Sequence, residues 1–168
     1  QTFDSNVDAN WREAAVFARL WAAPPTPRQW RGSFQMPRVA SSGSGFWERR
    51  GFNGVQRSRH WGLDLRGEEG DPVYAVGAGT VVLASDCYYS GGTIVLDHGL
   101  GLFSLYFHLS GYLVKQGDKV ERGQHIGKVG ATGRATGSHL HLSTRIGATL
   151  FDPLSLIKLD LSEGGAPE

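Results

Sequence analysis

Two hydrophobic periods divide this chain. Over residues 6–22, Val7, Trp11, Ala14, Ala18 and Trp21 recur at spacings of four, three, four and three, with Phe17 and Leu20 widening the stripe. That spacing predicts one amphipathic helix. Ser5 or Asp8 is placed to cap it, and Pro24, Pro25 and Pro27 end it and open an extended linker. Further along, the period changes. Short β-rich runs at 72–76, 79–84, 93–97, 102–108 and 126–130, each bounded by Gly, Pro or Asp, predict strands. No long amphipathic helix is readable between residues 65 and 150. The expected fold is therefore all-β, an antiparallel sheet preceded by a short N-terminal helix.

The stretch between these regions is irregular. Ser41-Ser42-Gly43-Ser44-Gly45 reads as a loop and Arg49–Gly54 as a turn or hairpin tip. The expected organisation is a helix-and-linker arm over 1–45, one domain over 46–158 and a tail over 159–168. Glycine supports the all-β reading: 24 in 168 residues is about twice the usual share, and many turns imply many short strands.

Charge narrows the partners. With 17 Lys+Arg against 16 Asp+Glu and no basic stripe, nothing draws the chain to nucleic acid or an anionic membrane. No run of about 18 apolar residues is present, so no membrane span is expected. Cys87 is the single cysteine and cannot form an internal disulfide. Gln1 in place of an initiator Met fits a trimmed form whose export signal precedes this chain.

Chemistry concentrates at Gly137-Ser138-His139-Leu140-His141-Leu142. On a strand, the alternation puts both imidazoles on one face, about 7 Å apart at the backbone, and both leucines on the other. Upstream, His60-Trp61-Gly62-Leu63-Asp64 offers a second imidazole and a carboxylate. Zinc accepts both donor types, and a catalytic site usually takes three protein ligands and leaves one position open. His60, Asp64 and one histidine of the pair would complete such a set. Fully extended, His60 and Asp64 would stand about 13 Å apart, too far for one ion, so a bend at Gly62 is required. His108 ends a strand before a turn, where the rim of a groove would lie. His98 reads as a turn residue and His125 as a surface position. No His-Glu-x-x-His helix is present, so a histidine would have to move protons in any peptide hydrolysis.

These residues together closely resemble the lysostaphin-type, or LytM-type, zinc endopeptidases of bacterial cell walls. The resemblance covers roughly residues 45–157. It runs through Arg49-Arg50, Phe52-Asn53-Gly54, His60-x-Gly-x-Asp64, Gly70-Asp71-Pro72, Asp97-His98-Gly99, Tyr106-x-His108-Leu109-Ser110, Gly117-Asp118-x-Val120, Gly123-Gln124-x-Ile126-Gly127, Gly130-x-Thr132-Gly133-x-x-Thr136-Gly137-x-His139-Leu140-His141 and Asp152-Pro153. It implies a groove lined by a large antiparallel sheet, one zinc ion held by His60, Asp64 and His141, and catalysis by His108 and His139 through a metal-activated water. It also implies a peptidoglycan peptide as substrate and an extracytoplasmic location, periplasmic or at the cell surface. Three positions depart from the family pattern. Ser143 stands where Glu or Gln is common, so a hydrogen bond near the site is expected to be altered or filled by water. Trp47 stands in the usual Phe-Gly, and Gly54 stands where members that cut glycine bridges tend to carry Tyr.

Two other readings compete. Some relatives keep the groove but lose ligands and regulate other wall enzymes; all five site residues are present here, and a regulatory partner is not readable. A carrier domain built on the Val114–Gln124 hairpin would leave the histidines unexplained.

Overall fold

The computed structural model describes residues 2–52 and 55–161; the tip at Asn53-Gly54 and most of the 159–168 tail lie outside them. Helix α1 spans Thr2–Ala22. It starts upstream of the expected residue, because nothing in Thr2-Phe3-Asp4-Ser5 breaks a helical turn, so Ser5 and Asp8 lie inside the helix and not at its cap. Val16, Phe17, Leu20 and Trp21 pack against Leu83, Val95, Phe103, Leu105 and Phe107. Val7 and Trp11, expected in the buried stripe, are 49% and 71% exposed. Only the second half of the helix overlies the sheet.

Twelve strands follow among the described residues. They are β1 (Arg49–Phe52), β2 (Val55–Arg59), β3 (Leu63–Arg66), β4 (Pro72–Tyr74), β5 (Gly79–Cys87), β6 (Gly91–Gly99), β7 (Leu102–Leu109), β8 (Gly111–Tyr112), β9 (Lys119–Val120), β10 (His125–Lys128), β11 (His139–Ile146) and β12 (Thr149–Phe151). The main sheet runs β12-β11-β7-β6-β5-β9, with β3 also pairing β11; β4-β10-β8 and β1-β2 form smaller sheets. Among the described residues every strand pairing is antiparallel, as expected. A short helix α2 (Pro153–Lys158) was not among the expected elements. Its signal is local: the Asp152 carboxylate accepts the Leu154 N–H at 3.0 Å, and Pro153 occupies the first turn.

The sheet is covered on both faces where β6 crosses it, so this strand is buried throughout. Ile94 and Leu96 face the main core, and Val95 faces α1. Strand β11 shows why the site forms. Leu140 and Leu142 are 0% exposed in that core, each worth about 1.5–3 kcal/mol. A one-residue slip would exchange leucines for histidines, so core burial locks His139 and His141 onto the opposite face. Helix α1 lies on that same face: His141 pairs in register with Phe107, which packs against Phe17, and the Arg145 guanidinium sits 4.3 Å over the Trp21 ring.

His98 is not a turn residue. It is fully buried in β6, with Nδ1 2.7 Å from the Ala78 carbonyl and Nε2 2.7 Å from the Ser104 hydroxyl. Ser104 is hydrogen-bonded in turn to the Tyr106 phenol, whose oxygen accepts the Val76 N–H. Burial pushes the His98 pKa down to about 4. The folded value lies below the unfolded one, so the neutral ring stabilises the fold fully above about pH 6.5, and this contribution is lost as pH falls toward 4. The loss is about 3 kcal/mol. Urea unfolding of the wild type and His98→Gln from pH 7.5 to 4 should show the gap between them shrinking by that amount; a constant gap would refute the assignment.

Candidate metal centre

His60, Asp64 and His141 converge. Nε2 of His60 lies 3.1 Å from Oδ1 of Asp64 and 3.2 Å from Nδ1 of His141, and that Nδ1 lies 2.9 Å from the same carboxylate oxygen. The chain bends as Gly62 requires: residues 60–62 precede β3, and Asp64 points back toward His60. Gly62 itself is a close-approach position. A Cβ there would lie 2.4 Å from Nε2 of His141 and 2.6 Å from the Leu142 carbonyl oxygen.

Hydrogen bonds on the outer side of each ligand set its protonation. Nδ1 of His60 is 2.8 Å from the Gly45 carbonyl, which can only accept, so the ring proton sits on Nδ1 and the Nε2 lone pair faces inward. The Ser143 hydroxyl donates to the Trp61 carbonyl at 2.9 Å and therefore accepts the proton on Nε2 of His141 at 2.8 Å. This leaves the Nδ1 lone pair of His141 inward as well. Oδ2 of Asp64 accepts from the Ser44 hydroxyl at 2.8 Å. Ser143 thus makes the supporting bond directly, where the sequence suggested an altered contact or a water.

Three inward lone pairs at this spacing repel one another unless a proton or a cation lies among them. The edges of 2.9–3.2 Å are close to the edge of about 3.3 Å for a tetrahedron with metal–ligand bonds of about 2.0–2.1 Å. Two neutral imidazoles and one carboxylate are donors that zinc accepts. Burial raises the Asp64 pKa, but its contacts with His141, His60 and Ser44 outweigh this and hold the carboxyl well below its ordinary range. Burial pushes His141 down, against the pull of Asp64. Both ligands favour their deprotonated forms near neutral pH.

His139 and His108 stand beside this group. Nε2 of His139 lies 3.8 Å from Oδ1 of Asp64, and its Nδ1 is 2.9 Å from the Gly137 carbonyl. The His108 ring is 5.0 Å from His139 and 6.2 Å from His141, centroid to centroid. Its Nδ1 is 2.8 Å from the Thr132 carbonyl. Both rings therefore carry the proton on Nδ1 and present a free Nε2. Burial lowers the His108 pKa despite the Thr132 carbonyl, so this ring is neutral at pH 7. Its backbone lies at φ 64, a conformation that non-glycine residues hold only when their surroundings impose it.

His125, expected at the surface, is half-buried at the start of β10 and bonds the Gly127 carbonyl at 3.0 Å, away from this group. Trp47 replaces the family glycine yet keeps a glycine-like φ of 66. Its ring meets Trp61 edge-on at 4.6 Å, with the Arg59 guanidinium 4.9 Å above it.

Comparison with known proteins agrees with this geometry. Residues 58–153, more than half of the chain, match peptidase family M23. The chain belongs to peptidase family M23. It is 49% identical over 82 residues to the peptidoglycan DD-endopeptidase ShyA of Vibrio cholerae, covering 49% of this chain and 19% of that protein. The chain thus spans about a fifth of that relative's length. Among solved structures, a zinc-containing peptidase from Vibrio cholerae superposes with a TM-score of 0.70 at 34% identity, over 79% of this chain and 41% of that one. The catalytic domain of lysostaphin from Staphylococcus simulans superposes at 0.64 with 35% identity, over 71% and 93%.

Residues 44, 45, 132 and 143 were missed as supporting groups. Ser44 and Gly45 carry only a loop signal, and Thr132 shows only as part of the Gly130-x-Thr132-Gly133 stretch of the family resemblance. Ser143 was visible solely as a departure from the family pattern.

Proposed function

We propose that this chain is a zinc-dependent endopeptidase that hydrolyses peptide bonds in the stem peptides or cross-links of bacterial peptidoglycan, outside the cytoplasm. The observation that carries the reading is the convergence of two imidazoles and one carboxylate, each fixed from behind by an oxygen partner. His60, Asp64 and His141 hold one zinc ion. Zinc in such a site lowers the pKa of a water toward about 7 and polarises the scissile carbonyl.

The chain's own residues then move protons. Nε2 of His108 and Nε2 of His139 are free on the site side, and each ring is oriented by a carbonyl at Nδ1. One Nε2 takes a proton from the attacking water and, now an N–H donor, bonds the oxyanion and passes that same proton to the leaving amine, while the other Nε2 accepts from and orients the water. No glutamate base is needed. The DD-endopeptidase name of the Vibrio cholerae relative makes a bond between two D-configured centres the first to examine. Among the described residues no helix is long and apolar enough to cross a membrane.

The test is incubation of the zinc-loaded protein with intact peptidoglycan, followed by mass spectrometry of newly freed amino groups. New termini at one bond, abolished by chelator and restored by zinc, are expected. A protein that holds zinc and frees none would favour a non-catalytic wall-binding module.

A further inference from the structure

The restraints on His108 all lead to one turn. Its backbone N–H bonds the Ser90 carbonyl at 2.8 Å, and its Nδ1 bonds the Thr132 carbonyl at 2.8 Å. Thr132 is itself tied to that turn: its hydroxyl oxygen accepts the Gly92 N–H at 2.9 Å, and Arg134 N–H bonds the Tyr89 carbonyl at 2.8 Å. The two segments touch so closely that a Cβ on Gly91 would lie 2.4 Å from Thr132, and one on Gly133 would lie 2.3 Å from the Gly91 nitrogen. The turn between β5 and β6 therefore sets both the strained backbone and the ring orientation of His108.

That turn is in turn held by α1. The Glu13 carboxylate accepts the Tyr89 N–H at 2.7 Å, the Ser90 N–H at 3.3 Å and the Ser90 hydroxyl. One helical turn further along the same face, Phe17 meets Phe107 edge-on at 6.3 Å, and Phe107 stacks on His141 at 5.3 Å and 24°. A helix that merely covered the sheet would need the apolar contacts alone. A carboxylate spent on three donors of one turn serves that turn.

We infer that Glu13 of the N-terminal helix is a positioning residue for the catalytic centre, holding the Tyr89–Ser90 turn that fixes His108. This rests on the peptidase reading for its effect on rate, but its effect on the His108 ring does not. Loss of the carboxylate frees Ser90, and His108 relaxes from its imposed backbone and loses a single ring orientation. Misplacement of a proton-transfer group lowers kcat more than substrate binding.

The experiment compares Glu13→Ala, Glu13→Gln and Leu20→Ala in the full chain. Leu20 packs beneath the same helix but bonds no part of the turn. Two readouts are taken: peptidoglycan turnover, and ring nitrogen chemical shifts of His108, which report whether the proton stays on Nδ1. Glu13→Ala should lower kcat by about tenfold or more with little change in KM, and its His108 should shift toward a tautomer average. Glu13→Gln, which keeps one acceptor oxygen, should recover much of both. Leu20→Ala should lose melting temperature but keep the wild-type His108 signal and kcat. Unchanged His108 shifts in Glu13→Ala would overturn the inference, as would a rise in activity, which would make α1 a strap across the site. A wild type without activity whose His108 signal still responds to Glu13→Ala would remove the peptidase reading and leave the positioning role standing.

Discussion

Alanine at position 62 is expected to weaken zinc binding by about tenfold to a hundredfold although all three ligand residues are retained. The backbone there is not in the left-handed region, so alanine is tolerated by φ. The obstacle is space. The added methyl would lie 2.4 Å from Nε2 and 2.7 Å from Cε1 of His141, and 2.6 Å from the backbone oxygen of Leu142. The Leu142 carbonyl belongs to the β3–β11 ladder and its side chain is fully buried, so the strand cannot retreat cheaply. The His141 ring must swing instead, and swinging breaks its bond to Ser143, which keeps the proton on Nε2. A proton moved to Nδ1 would sit where the metal belongs. Competition with a coloured chelator measures the affinity, and thermal melts with and without zinc measure its linkage to folding. Overpacking itself should cost about 1–3 kcal/mol. An unchanged affinity would mean that Gly62 serves the turn only.

Much of this architecture is legible along the chain, for a physical reason. Period-two alternation and full core burial impose one register on β11, so the shared face of His139 and His141 follows from Leu140 and Leu142 alone. The bend at Gly62 follows equally directly, since an extended His60–Asp64 segment could not share an ion. What one sequence hides is partnership across long separations. Ser143 bonds a carbonyl 82 residues away, His108 one 24 residues away, and Glu13 a turn 76 residues away. All three links end on backbone atoms, which carry no residue-specific mark. His98 was misread because Asp-His-Gly is also a turn signature; here the strand continues through His98, and Gly99 takes the positive φ of 90 that ends it. Helix α1 illustrates the converse. Its stripe is genuine, but amphipathicity says nothing about how far the covered surface extends, and here it reaches only the half that includes residues 16–21.

Removing either non-ligating histidine should separate metal binding from turnover. His108→Ala and His139→Ala are expected to bind zinc like the wild type and to lose about 10²–10⁴ of kcat. His141→Ala should lose most of the zinc as well, because it removes one of the three converging donors and leaves only His60 and Asp64 of that set. His108 needs a second variant, since alanine at φ 64 remains strained and the end of β7 would shift for that reason alone. Asparagine tolerates the left-handed region and retains a side-chain donor for the Thr132 carbonyl. It has no basic nitrogen that can take and return a proton. His108→Asn should therefore preserve zinc content and melting temperature yet remain as inactive as His108→Ala. Zinc per chain by elemental analysis, thermal melts and initial rates on peptidoglycan read all four variants. Wild-type turnover in His139→Ala would remove it from the chemistry. Recovered turnover in His108→Asn would reduce His108 to a shaping role and leave His139 as the only proton carrier of the pair.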